Sequence, residues 1–318
     1  MTTSTAFPAA TRPQFPLRLG TRRSPLAIAQ AEEAKARLTA AHGWDSDAIE
    51  LVPVLASGDR IQDRPLAEIG GKALWTKELD AALLDQRIDF AVHSMKDVET
   101  RRPEQITIAA LLPRADVRDV LIGAASIRQI PVGARVGTSA PRRAAQMLSL
   151  RPDLVVVGFR GNVATRLAKL QVGEADVTLL AAAGLQRLGQ TGIGHVLDPP
   201  DWLPAPAQGA IGIECRADDD RTRTMLAAID DAPTRAQIRA ERALLLALGG
   251  TCHSPVAAWT RQENGGLVMD VALFSPDGAI RRGGSARFAT HDAAAAAELG
   301  RRLLTEAPRA ISAFFHGS

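Results

Sequence analysis

Residues 92–98 read Val-His-Ser-Met-Lys-Asp-Val and gather a hydroxyl, an ammonium and a carboxylate within four positions. The largely apolar run Ile88 to Val92 delivers them at its carboxyl end. In open α/β folds that end of a strand borders a crevice where ligands sit. A carboxylate beside an ammonium stays ionised there while facing an organic substrate. Ser94, Lys96 and Asp97 are therefore the first candidate site residues.

The arginines form the second set. Arg22 follows an apolar run and precedes Ser24-Pro25. Arg142 and Arg143 open a helix near Ser139, and Arg160 ends the run Leu154 to Gly158. Arg166 lies one turn beyond Gly161-Asn162, and Arg187 follows Ala181-Ala182-Ala183-Gly184. All of them fall at strand ends or helix starts, where the helix dipole disfavours a cation. Cations held against that preference point to an anionic ligand between them, because guanidinium grips carboxylates in a bidentate fork and keeps its charge when desolvated.

The two cysteines differ in setting. Cys215 belongs to the apolar strand around Ile211 to Ile213 and reads as packing. Cys252 stands in Gly249-Gly250-Thr251-Cys252-His253-Ser254-Pro255, a loop with the backbone freedom and exposure of a reactive position. Neither has a CxxC partner and the six histidines are scattered, so no metal site is expected.

These residues need strands and helices to place them. Leu17 to Thr21 reads as a strand, followed by a helix from Ser24-Pro25, a good cap with proline at the first turn, to about His42, with Gly43 as its stop. Ile49 to Leu55 is a second strand, a helix spans about Leu74 to Gln86, and Asp89 to His93 is the strand ending in the motif. The pattern restarts after Pro113. Strands are expected over Ala134 to Gly137, Leu154 to Gly158 and Val177 to Ala181. Between them come a helix capped by Thr138-Ser139-Ala140-Pro141 and reaching Leu150, another from Asn162 to Val172, and a short one ending at Gly189. Strands alternating with helices imply parallel βαβ units. A proline cluster (Pro199, Pro200, Pro204, Pro206) marks a crossing back, and the strand Ala210 to Glu214 is placed to rejoin the first unit. From about Pro233 the chain changes to a long helix ending at Leu248, strands around Val256, Val268 to Phe274 and Ile280 to Phe288, and a helix from Asp292 to Glu306. The expected fold is α/β: two lobes with a crevice between them, plus a small α+β C-terminal domain. The expected units are 16–112 with 210–228, then 113–209, then 232–318.

Composition narrows the function classes. At 318 residues with 46% hydrophobic and 23% charged content, the chain can bury a proper core. No apolar run approaches the ~20 residues that span a bilayer, so no membrane partner is expected. The first fifteen residues do not resemble a secretory signal and read as a tail. Two cysteines suit a reducing cytosol rather than a disulfide framework, and a cytoplasmic location is expected. The pI is about 9.2, yet the formal net charge is only +3. With no basic run and 4% aromatics, nucleic acid is not an expected partner. Lobes and arginines alone also describe a non-catalytic carboxylate receptor. The Cys252 loop and the lack of a signal count against that reading.

From about Leu17 to Pro255 the chain resembles the porphobilinogen deaminase (hydroxymethylbilane synthase) family. The resemblance rests on Thr21-Arg22-x-Ser24-Pro25-Leu26-Ala27, Gly70-Gly71-Lys72 with Lys77-Glu78-Leu79, and His93 to Asp97. It continues through Gly137-Thr138-Ser139 with Arg142-Arg143, and Arg160-Gly161-Asn162-Val163 with Thr165-Arg166-Leu167. Ala183-Gly184-Leu185-x-Arg187-Leu188-Gly189, then Gln208-Gly209-Ala210 with Gly212-Ile213-Glu214-Cys215, complete it. The chain departs from the family pattern at Ala140-Pro141 (commonly Ser-Leu), Ala73-Leu74-Trp75 (Gly-Leu-Phe) and Ala207 (Gly). The resemblance implies two periplasmic-binding-protein-like lobes, and the family joins four porphobilinogen molecules head to tail, releases ammonia at each addition and frees hydroxymethylbilane for tetrapyrrole biosynthesis. By resemblance, Cys252 carries a dipyrromethane cofactor as a thioether, and no metal or nucleotide is needed. Ser94, Lys96, Thr138, Ser139, Arg142, Arg143, Arg166, Arg187 and Gly209 are expected to hold the cofactor, and Arg22, Ser24, Arg160 and Gln208 the incoming substrate. Asp97 is the catalytic candidate, Lys72 and Trp75 are candidates for a lid in which Trp75 either stacks on a pyrrole ring or packs in the core of its own lobe, and His93 is a core or orienting residue. The protein is expected to be a monomer whose partner is porphobilinogen.

Overall fold

The computed structural model describes residues 12–56, 75–250 and 254–315. Two five-stranded sheets and one three-stranded sheet organise them. The first sheet has the order β2-β1-β3-β10-β4, formed by β1 (Leu17–Arg22), β2 (Ile49–Val54), β3 (Phe90–Ser94), β4 (Ile106–Leu111) and β10 (Ile211–Arg216). The second has the order β7-β6-β8-β5-β9. Its strands are β5 (Asp119–Ile122), β6 (Arg135–Gly137), β7 (Val155–Val157), β8 (Val177–Ala181) and β9 (His195–Leu197).

Both sheets share one plan. Three strands run parallel, and the fourth position holds an antiparallel strand arriving from a crossover: β10 between β3 and β4, and β5 between β8 and β9. The strand expected to rejoin the first unit does so. The parallel βαβ units account for three strands of each sheet, and these two strands run antiparallel because a crossing chain enters its new sheet from the opposite end. No strand was expected between Val98 and Ala134, where β4 and β5 lie, and none at β9.

The best-marked helix behaves as its ends dictate. It spans Pro25–His42, Ser24 Oγ accepts from the Ala27 N–H, and Gly43 closes it at φ 67°. Asn162 likewise caps Val163–Gln171 by accepting from Thr165 N–H at 2.9 Å. The Pro141–Leu150 helix departs from expectation. Its cap is Ala140, with no side-chain acceptor. Thr138 Oγ1 instead accepts from Ala140 N–H (3.2 Å), and Ser139 Oγ from Phe159 N–H (3.0 Å). The two hydroxyls brace the turn between strand and helix rather than capping the helix.

The C-terminal unit is an antiparallel meander of β11 (Val256–Glu263), β12 (Gly266–Phe274) and β13 (Arg281–Phe288). It packs on helices Ala232–Leu248 and Ala293–Thr305 through Leu244, Leu248, Met269, Val271, Leu299 and Leu303. Its β12–β13 turn carries Gly278 at φ 71°, pressed so closely on the Pro141–Leu150 helix that a Cβ would collide with the Ala145 carbonyl. On its other side Glu241, fully buried, accepts from Arg114 (2.9 and 3.0 Å), Ala207 N–H (2.5 Å) and Thr260 N–H (3.1 Å). One carboxylate thus ties the long helix to both crossovers between the lobes.

Candidate active site

Strand β1 ends in Arg22 and β3 ends in Ser94, so both side chains open at the same sheet edge. Arg22, Ser24, Trp75, Ser94 and Asp97 line one small cavity together with Gln30 and His93. A short 3₁₀ turn, Met95–Asp97, turns the chain after β3 and leaves the Asp97 side chain 35% exposed. Arg22 reaches Asp97 Oδ2 at 3.9 Å, and its guanidinium lies 4.0 Å from the Trp75 ring centre. Trp75 therefore faces the cleft, stacked on an arginine, and not the core of its own lobe. Gln30 donates to Ser94 Oγ at 2.7 Å and fixes that hydroxyl.

Charges from the two lobes meet here. Lys96 in the first lobe is pushed down to about 8 by burial and then by Arg143 of the second, opposed by Asp97. Arg166 is pushed down to about 10 by burial and by Arg143, again opposed by Asp97, with Arg160 adding to the repulsion. Lys96 donates to Gln208 Oε1 at 3.4 Å and Arg166 Nε to the Gly161 carbonyl at 3.0 Å. Neither forms a salt bridge among the described residues. Buried cations bonded to neutral acceptors and crowded by like charge favour an anion between them.

Arg142 and Arg143 have a different setting. Both are buried on the Pro141–Leu150 helix and share Asp119, with Arg142 Nη2 at 2.7 Å from Oδ2 and Arg143 Nη2 at 2.6 Å from Oδ1. Arg142 also donates to the Leu203 carbonyl and Arg143 to that of Leu179. Trp202 Nε1 (2.8 Å) and Gln208 Nε2 (2.9 Å) complete the donors to Asp119. Its carboxyl lies far below the usual range, since the two guanidinia overcome the burial that would raise it. The sequence reading missed this residue. The available signal was an acid opening the wholly apolar run Val120-Leu121-Ile122.

Gln208, expected beside the substrate, is fully buried, and its amide is spent on the Val117 carbonyl, Asp119 and Lys96. Gly209 follows at φ 85°, where a Cβ would lie 2.5 Å from the Ala115 carbonyl. Arg187 donates to the Gly209 carbonyl at 3.2 Å and to Glu33 of the Pro25–His42 helix at 3.3 Å, bridging the lobes. Thr138 is buried, and Arg160 is half-buried at the end of the β7 segment. Cys252 and Lys72 lie outside the described residues. Cys215 is buried, as expected, and burial pushes its thiol up to about 12.

Below Asp97 the first lobe carries a second network that the sequence did not reveal. Arg102 binds Glu214 (2.8 Å), Asp80 (2.5 Å) and Glu99 (3.0 Å). His93 Nε2 stands 3.2 Å from Glu214, with both side chains buried. Glu214 is held down to about 2 by His93 and Arg102 against its burial. His93 is buried against Glu214 and also lines the small cavity beside Ser94 and Asp97.

These features define a two-lobed α/β protein whose cleft sets the Asp97 carboxylate among desolvated cations, suited to an organic ligand bearing several carboxyl groups. Comparison with known proteins gives the family. Residues 17–224 match the model described as porphobilinogen deaminase, dipyromethane cofactor binding domain, and residues 236–308 match that of the porphobilinogen deaminase C-terminal domain. A porphobilinogen deaminase of Sphingopyxis alaskensis is 59% identical over 95% of this chain and 98% of its own length. One of Paracoccus denitrificans is 50% identical over 84% and 86%. Among solved structures, an ancestral cationic amino acid solute binding protein aligns at 15% identity over 67% of this chain and 87% of its own, with a TM-score of 0.43. The chain belongs to the porphobilinogen deaminase family.

The donor set fits the family's cofactor. Dipyrromethane carries acetate and propionate groups, and Lys96 and Arg166 are cations that lack a carboxylate partner among the described residues. No cluster of potential metal ligands occurs among those residues.

Proposed function

We propose that Asp97 is the group at which this enzyme manages positive charge, while the cations across the cleft hold carboxylates. The reaction is the family's: four porphobilinogen molecules are joined head to tail with loss of ammonia, and hydroxymethylbilane is released for tetrapyrrole biosynthesis. The bound cofactor supplies a pyrrole with a free α-carbon from which the chain grows.

The observation that carries the assignment is the position of Asp97, with Arg22 at 3.9 Å on one side and the desolvated Lys96 and Arg166 on the other. When porphobilinogen loses its aminomethyl nitrogen the remaining azafulvenium is a cation, and a preorganised carboxylate in a water-poor cleft stabilises it. The same carboxylate is placed to accept the pyrrole α-proton after the new bond forms. Arg22 counters Asp97 from the cleft side and, with Ser24 and Arg160, receives the substrate carboxylates. Lys96, Arg166 and Ser94 hold the cofactor. Arg142 and Arg143, anchored on Asp119, present their positive charge to it from behind. Thr138, Ser139, Gln208 and Gly209 shape the turns that carry these groups, and Arg187 holds the lobes in register.

Cys252 is the attachment point in this proposal, four positions beyond the last residue of the Ala232–Leu248 helix. The units 16–112 with 210–228, 113–209 and 232–318 serve respectively as catalytic lobe, carboxylate-binding lobe and cofactor carrier. The buried Glu241 contacts support that division, since they join the carrier helix to both crossovers. A monomer in the cytoplasm is the proposed state.

Intact mass spectrometry tests the proposal. The purified protein exceeds its sequence mass by a covalent two-pyrrole adduct, Cys252→Ser abolishes the adduct and the activity, and Cys215→Ser keeps both. An adduct that survives in the Cys252→Ser protein would refute the attachment site.

A further inference from the structure

A second cavity, of about 390 Å³, lies where the first lobe meets the Ala232–Leu248 helix, and it shares no lining residue with the cleft. Four arginines line it and no carboxylate does. Two of these are already neutralised: Arg102 by Glu214, Asp80 and Glu99, and Arg235 by Asp230 at 2.6 Å. The other two, Arg239 and Arg242, form no salt bridge among the described residues. They stand three positions apart on the helix and so share a face. Arg239 is exposed. Arg242 is half-buried, its pKa is lowered by that burial, and its Nη2 donates only to the backbone carbonyls of Glu99 (2.8 Å) and Thr100 (3.0 Å). Apart from Thr100 and Thr107 the rest of the wall is apolar, built from Ile106, Ile108, Leu111, Ile238 and Ala293.

We propose that this cavity is a regulatory site for a small organic carboxylate with an apolar body. The carboxylate sits on Arg239 and Arg242 and the body on the isoleucine wall. Burial of such a cation beside neutral carbonyls leaves charge for an anion to satisfy, and the apolar wall selects against inorganic ions. The site is coupled to the reaction by position. The carbonyls that hold Arg242 belong to residues two and three beyond Asp97. An anion drawing on the same guanidinium N–H groups competes with those carbonyls and loosens the segment that fixes the Asp97 turn. The ligand therefore lowers kcat and leaves the KM for porphobilinogen unchanged.

The probe is 3-phenylpropionate, titrated into the holoenzyme by calorimetry and added to steady-state assays, with 3-phenylpropanol as the uncharged control. Binding at millimolar or better affinity is expected, weakened roughly five-fold in Arg239→Gln. That variant keeps native kcat and KM without the probe, since Arg239 is exposed and outside the cleft. Absence of binding up to about 10 mM would overturn the site, as would equal binding of the alcohol. Inhibition that is competitive with porphobilinogen and indifferent to Arg239→Gln would place the probe on the cleft arginines instead. Binding sensitive to Arg239→Gln with unchanged kcat would overturn the coupling to Asp97.

Discussion

The two lobes solve the problem of buried charge in opposite ways. In the first, Arg102 is surrounded by Glu214, Asp80 and Glu99, with His93 Nε2 3.2 Å from Glu214. In the second, Asp119 is surrounded by Arg142 and Arg143, with only the neutral donors Trp202 and Gln208 beside them. The first lobe therefore carries excess carboxylate beneath the cleft and the second excess guanidinium. A ligand that holds several carboxylates and passes through a cation needs both signs, each fixed in place before it arrives. A single mixed cluster would neutralise itself, whereas two lobes keep the charges apart across a gap.

Removing each hub should separate the two designs most strongly. Asp119→Asn leaves two buried guanidinia without a counter-charge, and a loss of about 3–5 kcal/mol in unfolding free energy is expected from urea denaturation. Glu214→Gln should cost less, about 1–3 kcal/mol, because Arg102 keeps Asp80 and Glu99. Equal losses would erase the contrast.

Asp97→Asn keeps shape and removes the one carboxylate that lines the first-lobe cavity among the described residues. A fall in kcat on the order of 100-fold or more is expected, with native stability. A variant retaining over about a tenth of native kcat would remove Asp97 from the chemistry.

Lys96 tests the positive side through pH. Its folded value of about 8 lies below the ordinary 10.5, so the unfolded chain holds the proton to higher pH. Stability should rise between about 8 and 10.5 and be lost as pH falls through 8. In Cys252→Ser protein, which lacks cofactor, the rise should be roughly 1–3 kcal/mol. Lys96→Met should abolish it, and the holoenzyme should flatten it, because cofactor carboxylates restore the ammonium. A rise of the same size in the holoenzyme would detach Lys96 from the cofactor.

The smallest expected effect is at Trp75. Its stacking on Arg22 is worth about 0.5–1 kcal/mol, so Trp75→Leu should raise KM roughly two- to five-fold with little change in kcat. Porphobilinogen should also alter tryptophan emission in the native protein and not in Trp75→Phe. An unchanged emission response in Trp75→Phe would assign the signal to Trp44, Trp202 or Trp259.

Much of this was legible in the sequence because the signals are local. Ser24-Pro25 and Gly43 mark a helix by satisfying or relaxing its own end groups, and the structure places that helix at Pro25–His42. The run into Val-His-Ser-Met-Lys-Asp-Val places Asp97 at a strand end whatever surrounds it. The apolar pattern of Ile211 to Cys215 predicts burial of that strand and of the Cys215 thiol. Tertiary structure alone decided the rest, because partners distant in sequence leave no mark on spacing. Asp119 meets arginines 23 and 24 positions away, Arg102 meets Glu214 at a separation of 112, and Glu241 meets Arg114 at 127. The sequence therefore determined that Arg22, Ser94 and Asp97 stand at strand ends. Only the folded chain decided which cations remain open to a ligand, because that depends on which of them a distant carboxylate has already claimed.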